Sequence, residues 1–301
     1  MKTKIYKKLM IGLCFLSTSL NAQDLLDKLN AEFPDKAVYE IATFKTTRIA
    51  LGQSVETRKK GALEITLYNR YWDTPNPESQ RFLADKVSTR FGLDYAITNN
   101  FTFGAGYTTF DKITDGYVKY RLLKQLKNSK KPSFSITLFQ GISHRKLNDI
   151  PNSIYDPTTS SDKYSFTSQV LIAHKFNTNL SLQIAPTFIH RSSNVVNEDP
   201  NNHFAIGFGG RHKIGGHTSI VSEYYYVANP LKSIETYNVF MVGINWEVSD
   251  LMLQFHITNA RNYAEDTFIT QTVDNFNFKN PNLHFGVNAT FILHTNKNKL
   301  K

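Results

Sequence analysis

The chain has 301 residues, a mean hydropathy of −0.36 and a formal net charge of +10 at pH 7. Beyond the first twenty-odd residues no apolar run approaches the roughly 18 residues a membrane helix needs, which excludes a helical membrane protein. Yet 22 Phe and 15 Tyr are many for so polar a chain, and a transmembrane β-barrel, or a soluble β-sandwich, reconciles the two by alternating apolar and polar positions.

At the N-terminus, Lys2, Lys4, Lys7 and Lys8 precede the short apolar stretch Leu9 to Leu20 and a small residue, Ala22. This is the pattern of an export signal cleaved near Ala22, too short to span stably. Leu20 three positions before the cut is less usual than Ala, which allows the cut to shift by a residue or two. Cys14 lacks the small preceding residue of a lipoprotein site, and it leaves with the signal. The exported chain then has no cysteine, so neither a disulfide scaffold nor a thiolate metal site is available. Loss of the four signal lysines takes the net charge from +10 to +6. The basic residues are scattered and no nucleic-acid motif is present. The excess suits anionic lipid head groups or anionic solutes, or is a solvated surface bias.

Residues 23–61 form a separate segment. Leu25, Leu26 and Leu29 share one face of a short helical stretch that ends near Pro34. Ala42 to Ile49 and Gly52 to Glu56 follow. The expectation is a plug or rim segment, with a periplasmic arm as the alternative.

From Leu63 onward period-two alternation recurs, the mark of half-buried strands. Leu63, Ile65 and Leu67 alternate with Glu64, Thr66 and Tyr68. Phe91, Leu93, Tyr95 and Ile97 alternate with Arg90, Gly92, Asp94 and Ala96, and Phe101 to Thr108 continues after Thr98-Asn99-Asn100. Tyr117 to Leu122, Ser133 to Leu138, Tyr164 to Phe176, Leu180 to Arg191, Phe204 to Gly209, Thr218 to Val227, Phe240 to Trp246, Leu251 to Ile257 and Leu283 to Phe291 complete about twelve strands. Short turns follow strands two, six, eight and ten, and a basic one follows strand four. Longer segments follow strands one, five, seven, nine and eleven, and only the link after strand three (110–115) is short on that side. Short turns on one rim and long loops on the other are the outer-membrane arrangement, which a Greek-key sandwich has no reason to show. The expected fold is therefore all-β, an antiparallel up-and-down transmembrane barrel over 62–293, with a polar tail at 294–301. An even strand count places both termini in the periplasm. His284-x-Gly286-x-x-Ala289-x-Phe291 is similar to the C-terminal signal read by barrel-assembly machinery, although a polar tail replaces the usual terminal aromatic.

Thr43 to Glu56, Arg90 to Tyr95 (RFGLDY), Asp115 to Leu123 (DGYVKYRLL), Pro186 to Arg191 (PTFIHR) and Glu223 to Tyr226 (EYYY) together resemble a family of membrane-bound β-barrel domains of unknown function, number 5777. The resemblance covers nearly all of the exported chain. It implies an outer-membrane barrel in contact with outer-membrane lipid and lipopolysaccharide, and no chemistry.

The alternation puts Glu64, Arg70, Arg90, Asp94, Lys119, Arg121, Arg211, Lys213 and Glu223 on the lumen face. Charges at membrane depth must be paired or wetted. They either brace a filled interior or line a pore selective for a small, anionic solute. His190 and Ser192 lie two apart, and with Asn194 they could form a base–nucleophile pair with an orienting amide. Twelve-stranded outer-membrane phospholipases use a His-x-Ser pair in this manner, but the surrounding residues here do not match theirs. An interfacial histidine is the plainer reading. The nine histidines show no metal-ligand spacing, no cofactor is expected, and Asp111, Asp115, Asp156 and Asp162 are isolated acidic residues placed in outer loops. Gly104-x-Gly106 and Gly207-x-Gly209-Gly210 lie within strands, where glycine eases curvature or close packing. Three functions follow in order: a pore or transporter for small solutes, a lipid hydrolase using His190 and Ser192, and a structural or docking barrel.

Overall fold

A computed structural model describes residues 38–73, 85–110, 112–127, 133–145, 164–192, 199–277 and 283–294. The expected helical stretch near Leu25, the export signal, Asn194 and the C-terminal tail lie outside these residues. The chain divides into two units. Of the smaller, the described residues are Val38, Tyr39, Leu126 and Lys127, joined by an antiparallel Tyr39–Leu126 bridge and a 2.7 Å bond from Lys127 N–H to the Val38 carbonyl. The larger unit holds Glu40–Gln125 and everything from Ser133 onward.

That unit is a closed antiparallel barrel of twelve strands: β1 (Ala62–Trp72), β2 (Lys86–Ala96), β3 (Phe101–Thr108), β4 (Ile113–Leu123), β5 (Ser135–Arg145), β6 (Tyr164–Lys175), β7 (Leu180–Arg191), β8 (Asn202–Lys213), β9 (Thr218–Val227), β10 (Val239–Val248), β11 (Leu251–Thr258) and β12 (His284–His294). Each strand pairs with its sequence neighbours, and β12 closes on β1 from Ala62–His294 to Tyr71–Phe285. Closure leaves no unpaired edge, so the strand backbones pair with one another rather than with water. Most strands are 10–12 residues long, enough for a tilted strand to cross a bilayer. Ser249-Asp250 joins β10 to β11, with Ser249 at φ 54°, as a two-residue turn requires.

Alternation partitions the two faces. Phe91, Leu93, Phe103, Tyr120, Leu138, Phe188, Phe204, Phe208 and Ile244 face outward, while Glu64, Arg70, Arg90, Lys119 and Glu223 are buried inside. In water an exterior of this kind would be costly, and in lipid it is the solvated face. The apolar core is inside the barrel. Phe44, Ile49, Leu51 and Val55 from the segment before β1 pack with Leu171, Ile189, Val221 and Met241 of the wall, and with Phe268 and Ile269 of a one-and-a-half-turn helix α1 (Glu265–Thr270).

The ladder has two irregularities. A bulge lies between Arg121 and Leu123, leaving both Leu122 and Leu123 on the exposed side. Pro186, which has no N–H to donate, sits in mid-β7, and the β6–β7 ladder is interrupted between Gln169–Thr187 and Ile172–Ile184.

If the outward face lies in lipid, a cation near its middle is costly. Phe208→Arg should destabilise the barrel folded in bilayers by about 2–4 kcal/mol, measured by urea titration of the chain refolded in vesicles. An arginine should cost far less at Thr178, exposed in the short turn between β6 and β7.

Candidate functional site

The lumen is occupied from one side by the segment 43–57. Its centre is a tight hairpin: Ser54 N–H donates to the Thr47 carbonyl at 2.9 Å, Ile49 N–H to the Gly52 carbonyl at 2.9 Å, and Arg48 bridges to Gln53. The tip points three consecutive N–H groups at one carboxylate. Ala50 and Leu51 donate to Glu223 Oε1 at 2.9 and 2.7 Å, and Gly52 to Oε2 at 2.9 Å. Gly52 is required by this approach, because a Cβ there would overlap the Tyr225 hydroxyl and reach the Glu223 carboxylate.

Amides and basic side chains of the wall hold the rest of the hairpin. Gln183 takes the Val55 N–H at 2.8 Å and donates to the Gln53 carbonyl at 2.7 Å. Gln254 donates to the Ile49 carbonyl, and Asn288 to that of Ala50 at 3.0 Å. Lys119 Nζ donates to the Thr47 and Glu56 carbonyls at 2.8 and 3.0 Å. Arg121 reaches the Val55 carbonyl and pairs with Glu56 at 2.7 Å. The Thr47 hydroxyl lies 2.9 Å from Glu64 and 2.7 Å from Asp94, two carboxylates facing each other across β1 and β2. Arg58 pairs with Glu64.

A second segment enters from the rim that carries the long connections. After β11 the chain folds inward, and α1 places Glu265 2.7 Å from Arg48 and 2.8 Å from Gln53 Nε2. Asp266 accepts from Ser143 at 2.8 Å, and Arg191 donates to the Asp266 carbonyl at 2.7 Å. The end of this segment is fastened by Asp274, which pairs with Arg261 at 2.9 Å and with His284 Nε2 at 2.9 Å. Burial alone would raise the Asp274 carboxyl, but the His284 and Arg261 contacts outweigh it and hold the group below the usual carboxylate value. At the same rim Asp199 accepts from the backbone of Lys232 and Ser233 at 2.8 and 2.9 Å. Here too burial raises and the hydrogen bonds from Ser233 and Lys232 lower, the latter prevailing.

The lumen-phase residues named from the sequence fall as follows. Glu64, Arg70, Arg90, Asp94, Lys119, Arg121, Arg211 and Glu223 are buried inside, and Lys213 is half-buried at the short-turn end of β8. Arg90 pairs side-on with Asp115 through Nε and Nη2. Asp115 is therefore a wall residue of β4, not an outer-loop acid, a correction that follows from β4 starting at Ile113. Arg211 bonds Ser219 and Glu247, each at 3.2 Å, and Lys45 also reaches Glu247, at 2.7 Å. On the strands six basic side chains (Arg70, Arg90, Lys119, Arg121, Arg191 and Arg211) and four acidic ones are buried.

His190 is exposed on the outer face, its Nδ1 2.8 Å from Asn202 Oδ1 and its ring stacked near Phe166. No hydrogen bond joins it to Ser192 among the described residues, and Asn202, the facing residue of β8, takes the place considered for Asn194. Asp111, Asp156 and Asp162 lie outside the described residues, and no group of metal-ligating side chains occurs among those described.

The family model for the membrane bound beta barrel domain (DUF5777) matches residues 44–293. The chain belongs to this family. No relative is found among curated proteins. Solved structures with similar folds include a KdgM porin, with 9% identity over 77% of this chain and 99% of that one and a TM-score of 0.47. A NanC porin gives 8%, 78%, 100% and 0.46, and the COG4313 outer membrane channel from Pseudomonas putida F1 gives 11%, 79%, 98% and 0.45. The likenesses are distant.

Removing the Glu223 carboxylate leaves three buried N–H groups without an acceptor, at roughly 1–3 kcal/mol each. In a background where Cys14, the sole cysteine, is replaced by Ser, Ala50→Cys should react slowly with a hydrophilic maleimide. Adding Glu223→Ala should speed that reaction by about tenfold or more.

Proposed function

We propose that the protein is an outer-membrane channel for small anionic solutes, closed at rest by the hairpin Thr46–Ser54. The observation that carries this reading is that the wall does not fill itself. The space is taken by a segment from outside the barrel, whose tip is held by hydrogen bonds to Glu223, Gln183, Gln254 and Asn288. Eight-stranded barrels are plugged by their own side chains, whereas larger ones need a separate plug or stay open. Once the hairpin leaves, Lys119 and Arg121 lose their hairpin acceptors and Glu223 its three donors, and basic groups outnumber acidic ones along the strands. Such a lining favours anions.

The polarity of the connections supports the membrane assignment and orientation: four of the five on one rim are short turns, at 97–100, 176–179, 214–217 and 249–250, and on the other all but 109–112 are long. In that orientation the hairpin enters from the periplasmic side, and α1 meets it from the outer side. Lipid and lipopolysaccharide surround the apolar band, and assembly machinery inserts it.

A second reading, lipid hydrolysis at the outer surface, has one observation in its favour, the His190–Asn202 pair. Its test is phospholipid turnover by the folded chain. Activity abolished by Ser192→Ala supports it, and no activity, or activity unchanged in the variant, ends it.

For the channel, the exported chain in planar bilayers should show little or no steady current. A chain lacking 40–60 should conduct, with a reversal potential of the sign expected for anion selectivity. Silence of the shortened chain, shown by circular dichroism to be β-folded, would overturn the proposal.

A further inference from the structure

Arg70 is buried with no carboxylate partner among the described residues. Its Nη1 donates to the Ala260 carbonyl at 3.0 Å and to that of Asn262, and the Tyr263 ring lies 4.2 Å from its guanidinium carbon. Nε and Nη2 have no acceptor. These two nitrogens form the edge of the guanidinium that takes two oxygens side by side, and twenty residues on Arg90 uses that same edge for Asp115. One wall arginine thus has its oxyanion and the other lacks it.

The lumen-phase positions in register with Arg70 carry further polar groups without partners. In the register, His256, Gly286, Arg70 and Ser88 form one row across β11, β12, β1 and β2, all on the lumen phase. The His256 ring leans over Gly286: a Cβ on that glycine would sit 2.0 Å from His256 Nε2. Both His256 nitrogens and the Ser88 hydroxyl are buried without partners. Three polar side chains in one row with unfilled hydrogen-bonding positions, all buried, are not expected of a finished interior. The row is roofed by Tyr263, whose hydroxyl donates to the Ser88 carbonyl at 2.9 Å.

We propose that this row binds a small oxyanion, its two oxygens on Arg70 Nε and Nη2, with Ser88 and His256 as flanking donors. The inference deepens the channel reading and rests on it for the class of solute. Binding is read on the closed chain without current, so its failure and the failure of conduction are separate results.

The test is NMR of two probes with the folded full exported chain in detergent at fixed ionic strength, the signal being proton saturation transfer for acetate and 31P line broadening for inorganic phosphate. Arg70→Met should abolish the signal, while Lys232→Met, which removes an exposed positive charge outside the lumen, should retain it. Signal from acetate alone, from phosphate alone or from both supports the site and names the ligand. No signal from either at 50 mM (roughly the upper limit of weak but specific binding), or equal signal in wild type and Arg70→Met, overturns it. Should Arg70→Met fail to fold, judged by heat-modifiable migration on gels, Ser88→Ala decides. An affinity reduced about threefold to tenfold, the share of one hydrogen bond to a charged ligand, supports the site, and an unchanged affinity refutes it.

Discussion

The packing of the lumen depends on the Glu223 carboxylate accepting three successive N–H groups at the hairpin tip. A buried carboxylate is tolerated only when its lone pairs are used, and here three backbone N–H groups use most of them. The converse holds for the hairpin: three adjacent N–H groups in a tight turn have no acceptor of their own and need an anion. Each partner removes the other's desolvation cost, so neither is stable in the lumen without the other. Tyr225 completes the fit, its hydroxyl 3.3 Å from Glu223 and its ring against Gly207 and Phe268.

The wall is shaped around its large charged groups by the absence of side chains elsewhere. A Cβ at Gly106 or Gly92 would meet the Arg90 guanidinium at 2.3 or 2.5 Å, and one at Gly104 would meet Asp94 and the Tyr117 ring. Arg90 can therefore lie flat across β3 and reach Asp115 on β4. Gly209 does the same for Ile49 of the hairpin. Within-strand glycine thus provides room for arginine and tyrosine to cross neighbouring strands, and the close-packing alternative for these glycines is the one that operates.

The barrel was legible in the sequence because period two is an uninterrupted signal: the ends of β7 and β9 coincide with the alternating runs Leu180 to Arg191 and Thr218 to Val227. The inward phase of Arg90, Asp94, Lys119 and Arg121 could be read for the same reason. Asp115 could not, because Thr114-Asp115-Gly116 puts three polar or small residues in a row between Ile113 and Tyr117 and looks like a turn. Nor could α1: its six residues, with both acidic groups in the first turn, are too few for helical periodicity to show. Gln183, Gln254 and Asn288 were on the inward phase, but neutral amides carry no charge to attract notice. That they hold the hairpin depends on where Ile49, Ala50 and Val55 stand, which no local pattern discloses. The alternation likewise says nothing of the apolar core inside the lumen, since Ile189 and Met241 occupy positions that the pattern assigns to polar residues.

The two segments that close the lumen are joined to each other as firmly as to the wall. Glu265 of α1 pairs with Arg48 and accepts from Gln53, both in the hairpin, and Phe268 belongs to the same apolar cluster as Ile49 and Leu51. Withdrawing the hairpin alone would leave Glu265 buried without its cation, a loss on the order of 3–5 kcal/mol. Withdrawing α1 alone would leave Arg48 in the same position. The cheaper path is for both to move, or for water to reach Glu265 as the hairpin leaves. Arg70 is tied to this event, since its Nη1 is held by the carbonyls of Ala260 and Asn262 in the connection leading to α1. An anion on the free edge of Arg70 would therefore sit at the junction of wall and outer closure, where a change in the pairing of one arginine alters what holds that closure in place.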